Sequence, residues 1–463
     1  MVAVSNFEKA PLTEEVLEKF RSEFFSCPKN VVAQNACSKL DVLDVCTSRQ
    51  RVQNVSHNFT HKVEMDAKPL TNQKSSGRCW IFACLNVIRL PFMKHYNLEE
   101  FQFSQSYLFF WDKIERCNFY LNTVIETARR GEPLDGRLVS FLLVKPNDDG
   151  GQWDMLVNLI KRYGVMPKNC FPESVCSEAT LRMNTILMSK LREYTRDLRA
   201  LITSGASDAD IRSVIQSQME TIYRIVGICL GIPAKSFTWE YRNKAKEYHC
   251  VENVTPLQFY DEYVKPHFNV EEKVCLVTDP RPTSEFNKAY TVDCLGNVVG
   301  GRTIIYNNQP VELLMKLVAE SIKDNEAVWF GCDVSKRFST KLGLDDLEIH
   351  DYKAVFNTDV VLPMSKAERM MYGESCMTHA MVISAVSIDK ETEEPTKWRV
   401  ENSWGEEINN KGYILMTSDW FKEFVYEVVV DKKHVPQSVM DVFKQEPTVL
   451  PAWDPMGTLA KAL

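Results

Sequence analysis

The chain has 463 residues, 44% of them apolar and 25% charged, with a formal net charge of −7 at pH 7. That length supports two or three domains' worth of buried core, in proportions ordinary for a soluble globular protein. The acidic balance argues against a surface that attracts nucleic acid globally. No apolar run approaches the ~18 residues that a membrane span needs; the longest, Ile222–Ile232, is interrupted by Arg224. The fourteen cysteines show no C-x-x-C and no Cys/His cluster with zinc spacing, so neither a metal nor another cofactor is expected. Met1–Lys9 lacks a basic region followed by an apolar core and does not read as a secretory signal.

Residues 1–60 read as an N-terminal helical arm. Thr13 is a cap residue, Glu14 and Glu15 fall in the first turn, and Val16, Leu17 and Phe20 form a stripe. The arm is expected to pack permanently on the core or on a neighbouring subunit. Residues 61–180 read as a mostly helical lobe. A loop, Gln73–Arg78, feeds a buried apolar helix that starts at Cys79 and runs to Leu90, where Pro91 ends or kinks it. Phe103–Lys113 is an aromatic-rich helix, and Gly150-Gly151 is a tight bend. Residues 181–300 read as a mainly helical insertion, in which Leu187, Leu191, Tyr194, Leu198 and Leu201 recur at helical spacing. Arg192, Arg196 and Arg199 run beside that stripe, as a solvated face with local acids or as a basic surface for an anionic partner. Phe268–Asn297 reads as loop and irregular strand. Residues 301–431 carry most of the strand signal, at 327–331, 379–386, 398–402, 412–416 and 425–430. Residues 432–463 form a C-terminal tail. The fold class is therefore α+β.

Cys79 falls in the first turn of its helix, where unpaired N–H groups and the helix dipole favour a thiolate. A cysteine there is also often a small buried hydrophobe. His379 lies on a strand, where it serves as a base or as a core histidine. Asn402, on the next strand, can accept a hydrogen bond from one imidazole nitrogen and aim the other at Cys79. Trp404 can cover that bond.

Taken together, Gln73, Cys79-Trp80, His379 and Asn402–Gly405, with Gly412-Tyr413 just after, resemble the papain-like cysteine peptidases in kind and in order. Four longer segments, 73–82, 103–112, 149–154 and 450–457, resemble one branch of that family. The resemblance implies a two-lobe fold: a helical lobe at 61–180 and a small β-barrel-like lobe at 301–431, with the active-site cleft between them. It implies Cys79, His379, Asn402 and Gln73 as catalytic residues. It implies substrate contacts at Gly150, Gly151 and Trp404, and a tail whose last residue, Leu463, reaches the cleft. The implied activity is that of a thiol aminopeptidase acting on peptides and small amide compounds, assembled as a homohexamer, with nucleic-acid binding in some relatives and no membrane association. Two departures stand out. Ser76 replaces the family's bridging cysteine, which with the absence of a signal points to reducing cytosol. His379 follows Cys79 by about 300 residues, twice the usual ~130–150, so a domain-sized segment is inserted. Two other functions stay open: a Cys/His/Asn acyltransferase, and a nucleic-acid or partner-binding protein with secondary peptidase activity.

Overall fold

The computed structural model describes residues 9–460. It divides into two compact units: residues up to Ser56 with Leu347–Pro363, and His57–Asp346 with Met364–Leu463.

The first unit is helical. Thr13 caps Glu14–Ser26 by accepting from Val16 N, as its sequence predicts, and Asp41 and Ser48 cap the short helices Val42–Cys46 and Arg49–Gln53 in the same way. Residues 347–363 join this unit through backbone bonds, Ser48 N to Ile349 O at 2.8 Å and Asp351 N to Cys46 O at 2.7 Å. No residue of Glu14–Ser26 is buried, and the stripe Val16, Leu17 and Phe20 stays exposed.

The second unit holds the rest. Its hub is the helix Cys79–His95. The helix does not stop at Leu90; it continues through Pro91 for another turn. Phe92, buried against the rings of Phe101, Phe103 and Trp239, and the buried Met93 hold that turn and outweigh the donor that proline removes. Every residue from Cys79 to Leu90 is buried, polar ones included. Asn86 donates to Thr71 Oγ1 at 2.9 Å, and Arg89 pairs with Glu401 at 3.2 Å and donates to Pro69 O and Phe101 O.

The aromatic-rich helix spans Gln105–Arg129, and Leu181–Thr203 and Asp208–Leu230 pack on it. Leu187, Leu191, Tyr194 and Leu198 face inward as their spacing requires, while Leu201 is half-buried. The chain then turns to β structure: a hairpin of Phe237–Arg242 with Tyr248–Val254, and, within the 268–297 stretch read as loop and irregular strand, the two strands Lys273–Val277 and Lys288–Val292. Lys273–Val277 is buried on both faces, so it carries no alternation to read.

These strands join one large mixed sheet. At its centre Val425–Asp431 pairs with Val328–Cys332, which pairs antiparallel with His379–Ile388, then Pro395–Glu401 and Tyr413–Thr417. The Cys79 helix lies against His379–Ile388. That packing brings the two distant motifs together. After the last central strand, Thr448–Leu450 adds in parallel to Lys288–Val292, and the chain returns toward the helix start.

Candidate active site

The loop before Cys79 is fixed from both sides. Gln73 N donates to Ser403 O at 2.8 Å; its side-chain Nε2 donates to Ser76 O at 2.6 Å, and its Oε1 accepts from Ser403 Oγ at 2.7 Å. Opposite, Ser75 N donates to Glu178 O at 2.9 Å and Thr180 N to Ser75 O at 3.3 Å. The buried Arg78 guanidinium donates to Glu173 at 2.8 Å and lies over the Phe82 and Phe109 rings. With the loop so held, Cys79 is the first residue of its helix, and its N–H has no intrahelical acceptor.

Beneath the loop sits Asp149. Burial opposes its charge, but the Lys113 ammonium at 2.7 Å and hydrogen bonds from Thr180 and Asn184 hold its carboxyl down to about 2. Its carbonyl accepts from Trp80 Nε1 at 2.7 Å. This ion pair fixes the start of Gly150-Gly151. A Cβ on Gly151 would stand 2.6 Å from the Trp80 ring, so only glycine lets the bend pass over that ring.

From the other side, the first residue of its strand is His379. Its Nε2 lies 3.0 Å from Asn402 Oδ1, and the same oxygen accepts from Ser403 N at 2.8 Å. An oxygen at that position makes Nε2 the donor, which leaves the Nδ1 lone pair free on the neutral ring. The Trp404 ring covers the imidazole at 5.1 Å. Ala380 N–H, one residue on, points at Cys79 Sγ. Burial pushes the Cys79 thiol up to about 11, against the pull of the Ala380, Trp80 and Cys79 N–H groups. Burial likewise lowers His379 to about 4, against the Asn402 bond. Each group alone is therefore neutral at rest. Proton transfer between them makes an ion pair in which each charge supports the other.

The C-terminal tail reaches the same neighbourhood. Thr458 Oγ1 donates to Met377 O at 2.8 Å, Arg116 Nη1 donates to Ala460 O at 3.4 Å, and Leu459 and Ala460 are buried. A Cβ on Gly150 would meet Leu459 O at 1.9 Å. Upstream, Asp454 accepts both guanidinium nitrogens of Arg281 at 2.8 and 3.1 Å, anchoring the tail before it enters.

The structure thus brings Gln73, Cys79, Gly150, Gly151, His379, Asn402 and Trp404 into one neighbourhood. Leu463, and Ala462 before it, lie outside the described residues. Ala380 N–H, Lys113 with Asp149, and the tail contacts of Arg116 and Thr458 are additions. The first is a backbone group with no side-chain signal, but Asp149 stands in the Asp-Gly-Gly motif itself. The arginine row is committed locally: Arg192 donates to Leu143 O and Val144 O, Arg199 to Glu132 O, and Arg196 pairs with Asp197. Among the described residues, Asp324, Glu326 and His434 have metal-ligand spacing, but the Lys433 ammonium sits 2.5 Å from both carboxylates.

Comparison with known proteins gives the chain's family. The model of the Peptidase C1-like family matches residues 11–457. Bleomycin hydrolase of Mus musculus is 58% identical over 454 residues, covering 98% of this chain and 99% of that protein. The Homo sapiens bleomycin hydrolase is 57% identical, covering 97% and 99%. Aminopeptidase C of Lactobacillus delbrueckii subsp. lactis is 40% identical, covering 96% and 98%. The crystal structure of PepW from Lactobacillus rhamnosis superposes with a TM-score of 0.92 at 39% identity, over 97% of this chain and 99% of that one. The branch that the four sequence segments resemble is bleomycin hydrolase, and the chain belongs to the Peptidase C1-like family.

Proposed function

We propose that this chain is a cysteine aminopeptidase, releasing N-terminal residues from peptides and hydrolysing small amide compounds such as bleomycin through an acyl-enzyme on Cys79. The observation that carries the assignment is the Asn402–His379 bond at 3.0 Å, with Ala380 N–H on the Cys79 sulfur. Cys79 gives its proton to His379 Nδ1, and the thiolate attacks the substrate carbonyl. The developing oxyanion takes hydrogen bonds from Cys79 N–H and from the second hydrogen of Gln73 Nε2, each worth ~3–4 kcal/mol. His379 protonates the leaving amine, then removes a proton from the water that releases the acyl group. Asn402 holds the ring, Trp404 keeps water off that bond, and Gly150-Gly151 borders the substrate backbone.

The tail makes it an aminopeptidase. Segment 458–460 fills one end of the cleft, so a long chain cannot thread through, and a terminal carboxylate beyond Ala460 attracts the substrate ammonium. Such a pair at about 4 Å is worth ~4 kcal/mol gross in a partly screened site. Cys79 also trims this end, with Leu463 lost first. The two lobes are the helical segment 61–180 and a β lobe built on 301–431, to whose sheet the strands Lys273–Val277 and Lys288–Val292 also belong; the enzyme is cytosolic and hexameric. Deleting Thr458–Leu463 tests the selector. Hydrolysis of free-amino amides should fall and cleavage of N-acetylated peptides should rise. A truncated enzyme that stays a strict aminopeptidase rules the tail out and assigns the amine to another acidic group.

A further inference from the structure

Two cysteines that the proposed mechanism does not use lie side by side. Cys176 stands in the short helical turn Val175–Glu178, and Cys229 in the last turn of Asp208–Leu230. They are 53 positions apart, and nothing in their sequence spacing pairs them. In the structure the turn Val175–Glu178 packs on the helix Asp208–Leu230, and burial and then the neighbouring Cys176 thiol raise the Cys229 thiol. The two backbones are tied at the same place, because Ser174 Oγ donates to Cys229 O at 3.0 Å while also accepting from Ser177 N at 3.1 Å. Both cysteines are free and only partly buried, so a small reagent reaches them from solvent.

What surrounds the pair gives it consequence. Residues 173–180 form a strap along the loop that delivers Cys79. Glu173 accepts from Arg78, Glu178 O accepts from Ser75 N, Thr180 N donates to Ser75 O, and Thr180 Oγ1 donates to Asp149. The strap is a short run with little core of its own. Its side away from the loop rests on the helix end that carries Cys229.

We propose that Cys176 and Cys229 are a dithiol that a low-molecular-weight disulfide converts reversibly to an intramolecular disulfide, locking the strap behind the Cys79 loop to the helix Asp208–Leu230. In the first step one thiolate attacks the reagent, breaks its S–S bond and expels one thiolate, leaving a mixed disulfide. The second cysteine attacks the protein sulfur of that mixed disulfide and expels the second thiolate. Two protein thiols lose two electrons and two protons, and the reagent is reduced to two thiols. Side-by-side thiols make the second step intramolecular and fast, so this pair closes before isolated cysteines accumulate adducts. The new bond closes a loop of 53 residues, restricting the unfolded chain and the strap together.

The experiment uses the full chain carrying Cys79→Ala, so that the most reactive candidate thiol is absent. The protein is incubated with oxidised glutathione, the remaining thiols are alkylated, and its peptides are mapped by mass spectrometry. The expected product links the Cys176 peptide to the Cys229 peptide, lighter by two hydrogens, and dithiothreitol reverses it. Amide exchange at 174–180 slows at least tenfold in the oxidised form, and Tm rises by about 3 °C. Adding Cys229→Ser abolishes the link, the slowing and the Tm gain, and leaves a glutathione adduct on Cys176. Glutathione adducts on both cysteines without a link overturn the proposal, as does linkage of either to a different cysteine. A link that forms while exchange at 174–180 is unchanged overturns the locking of the strap.

Discussion

At the scale of single residues, the roles proposed at the site separate by what each atom does. Cys79→Ala removes the nucleophile and should lower kcat/KM by at least ~1000-fold with the fold intact, read by steady-state hydrolysis and circular dichroism. Residual turnover above ~1% points to a different nucleophile. His379 moves the proton, whereas Asn402 accepts from Nε2 and sets the ring's direction. Asn402→Ala should therefore cost less than His379→Ala. Equal and complete losses in folded proteins would remove Asn402's orienting role. Burial opposes the charge on each group taken alone, holding the thiol near 11 and the imidazole near 4. Each therefore needs the other's charge to ionise. Much of this was legible in the residues alone. Cysteine, histidine and asparagine in that order, the first followed by Trp80 and the last by Ser403-Trp404-Gly405, already pointed to the proposed chemistry. What the residues did not carry is a backbone donor such as Ala380 N–H, which has no side-chain identity to recognise.

At the scale of elements, the tail and the bend at Gly150 are matched. The carbonyl of Leu459 lies where a Cβ on residue 150 would stand, at 1.9 Å. Gly150→Ala should therefore displace the tail and mimic its deletion, with N-acetylated peptides cleaved faster and free-amino amides slower. An alanine variant with unchanged selectivity would mean that the tail repacks around the methyl. The helix Leu181–Thr203 offers a second case. Arg192 donates to Leu143 O and Val144 O, the exposed last carbonyls of the helix Arg137–Val144. Arg192→Glu leaves those carbonyls without their donor and sets a like-signed charge there. It should lower stability by ~1–2 kcal/mol in denaturant unfolding. Arg192→Lys should recover part of that. The row of arginines was visible as a pattern. Its destination was not, because helical spacing tells which residues share a face and not which carbonyl ends arrive opposite them.

At the scale of the whole molecule, stability should depend on pH through buried acids. Burial raises Glu427 to about 8, against the Cys275 hydrogen bond and with added repulsion from Asp154, itself raised by burial to about 6. A carboxyl with a raised folded pKa binds its proton more tightly folded than unfolded. Its stabilising contribution is full below its unfolded pKa of about 4.5 and is lost as pH rises through about 8. Lys366 acts in the opposite sense. Burial lowers it to about 7, so stability recovers from there toward about 10.5. Glu427→Gln should leave stability at pH 5 little changed and reduce the loss between pH 5 and 8, measured by urea unfolding across that range. Parallel pH profiles for the two proteins would assign the dependence elsewhere.

By itself the sequence determined the chemistry and the periodic elements. The Cys79 helix, the Leu187–Leu198 stripe, the Thr13 cap and the His379 and Asn402 strands follow from local patterning, because each is written in residues a few positions apart. Of its two readings of Pro91, an end or a kink, the end does not hold, because core packing of Phe92 and Met93 carries the helix on to His95. It was blurred at Lys273–Val277, where burial on both faces erases the alternation. Only the tertiary structure fixed the contacts themselves: the Cys79 helix against the His379 strand, Leu459 O over Gly150, and the turn of Cys176 on the helix of Cys229. Those contacts join segments whose local sequences are independent of one another. Their pairing is set by which helix packs on which strand, a property of the whole chain's burial rather than of any window within it.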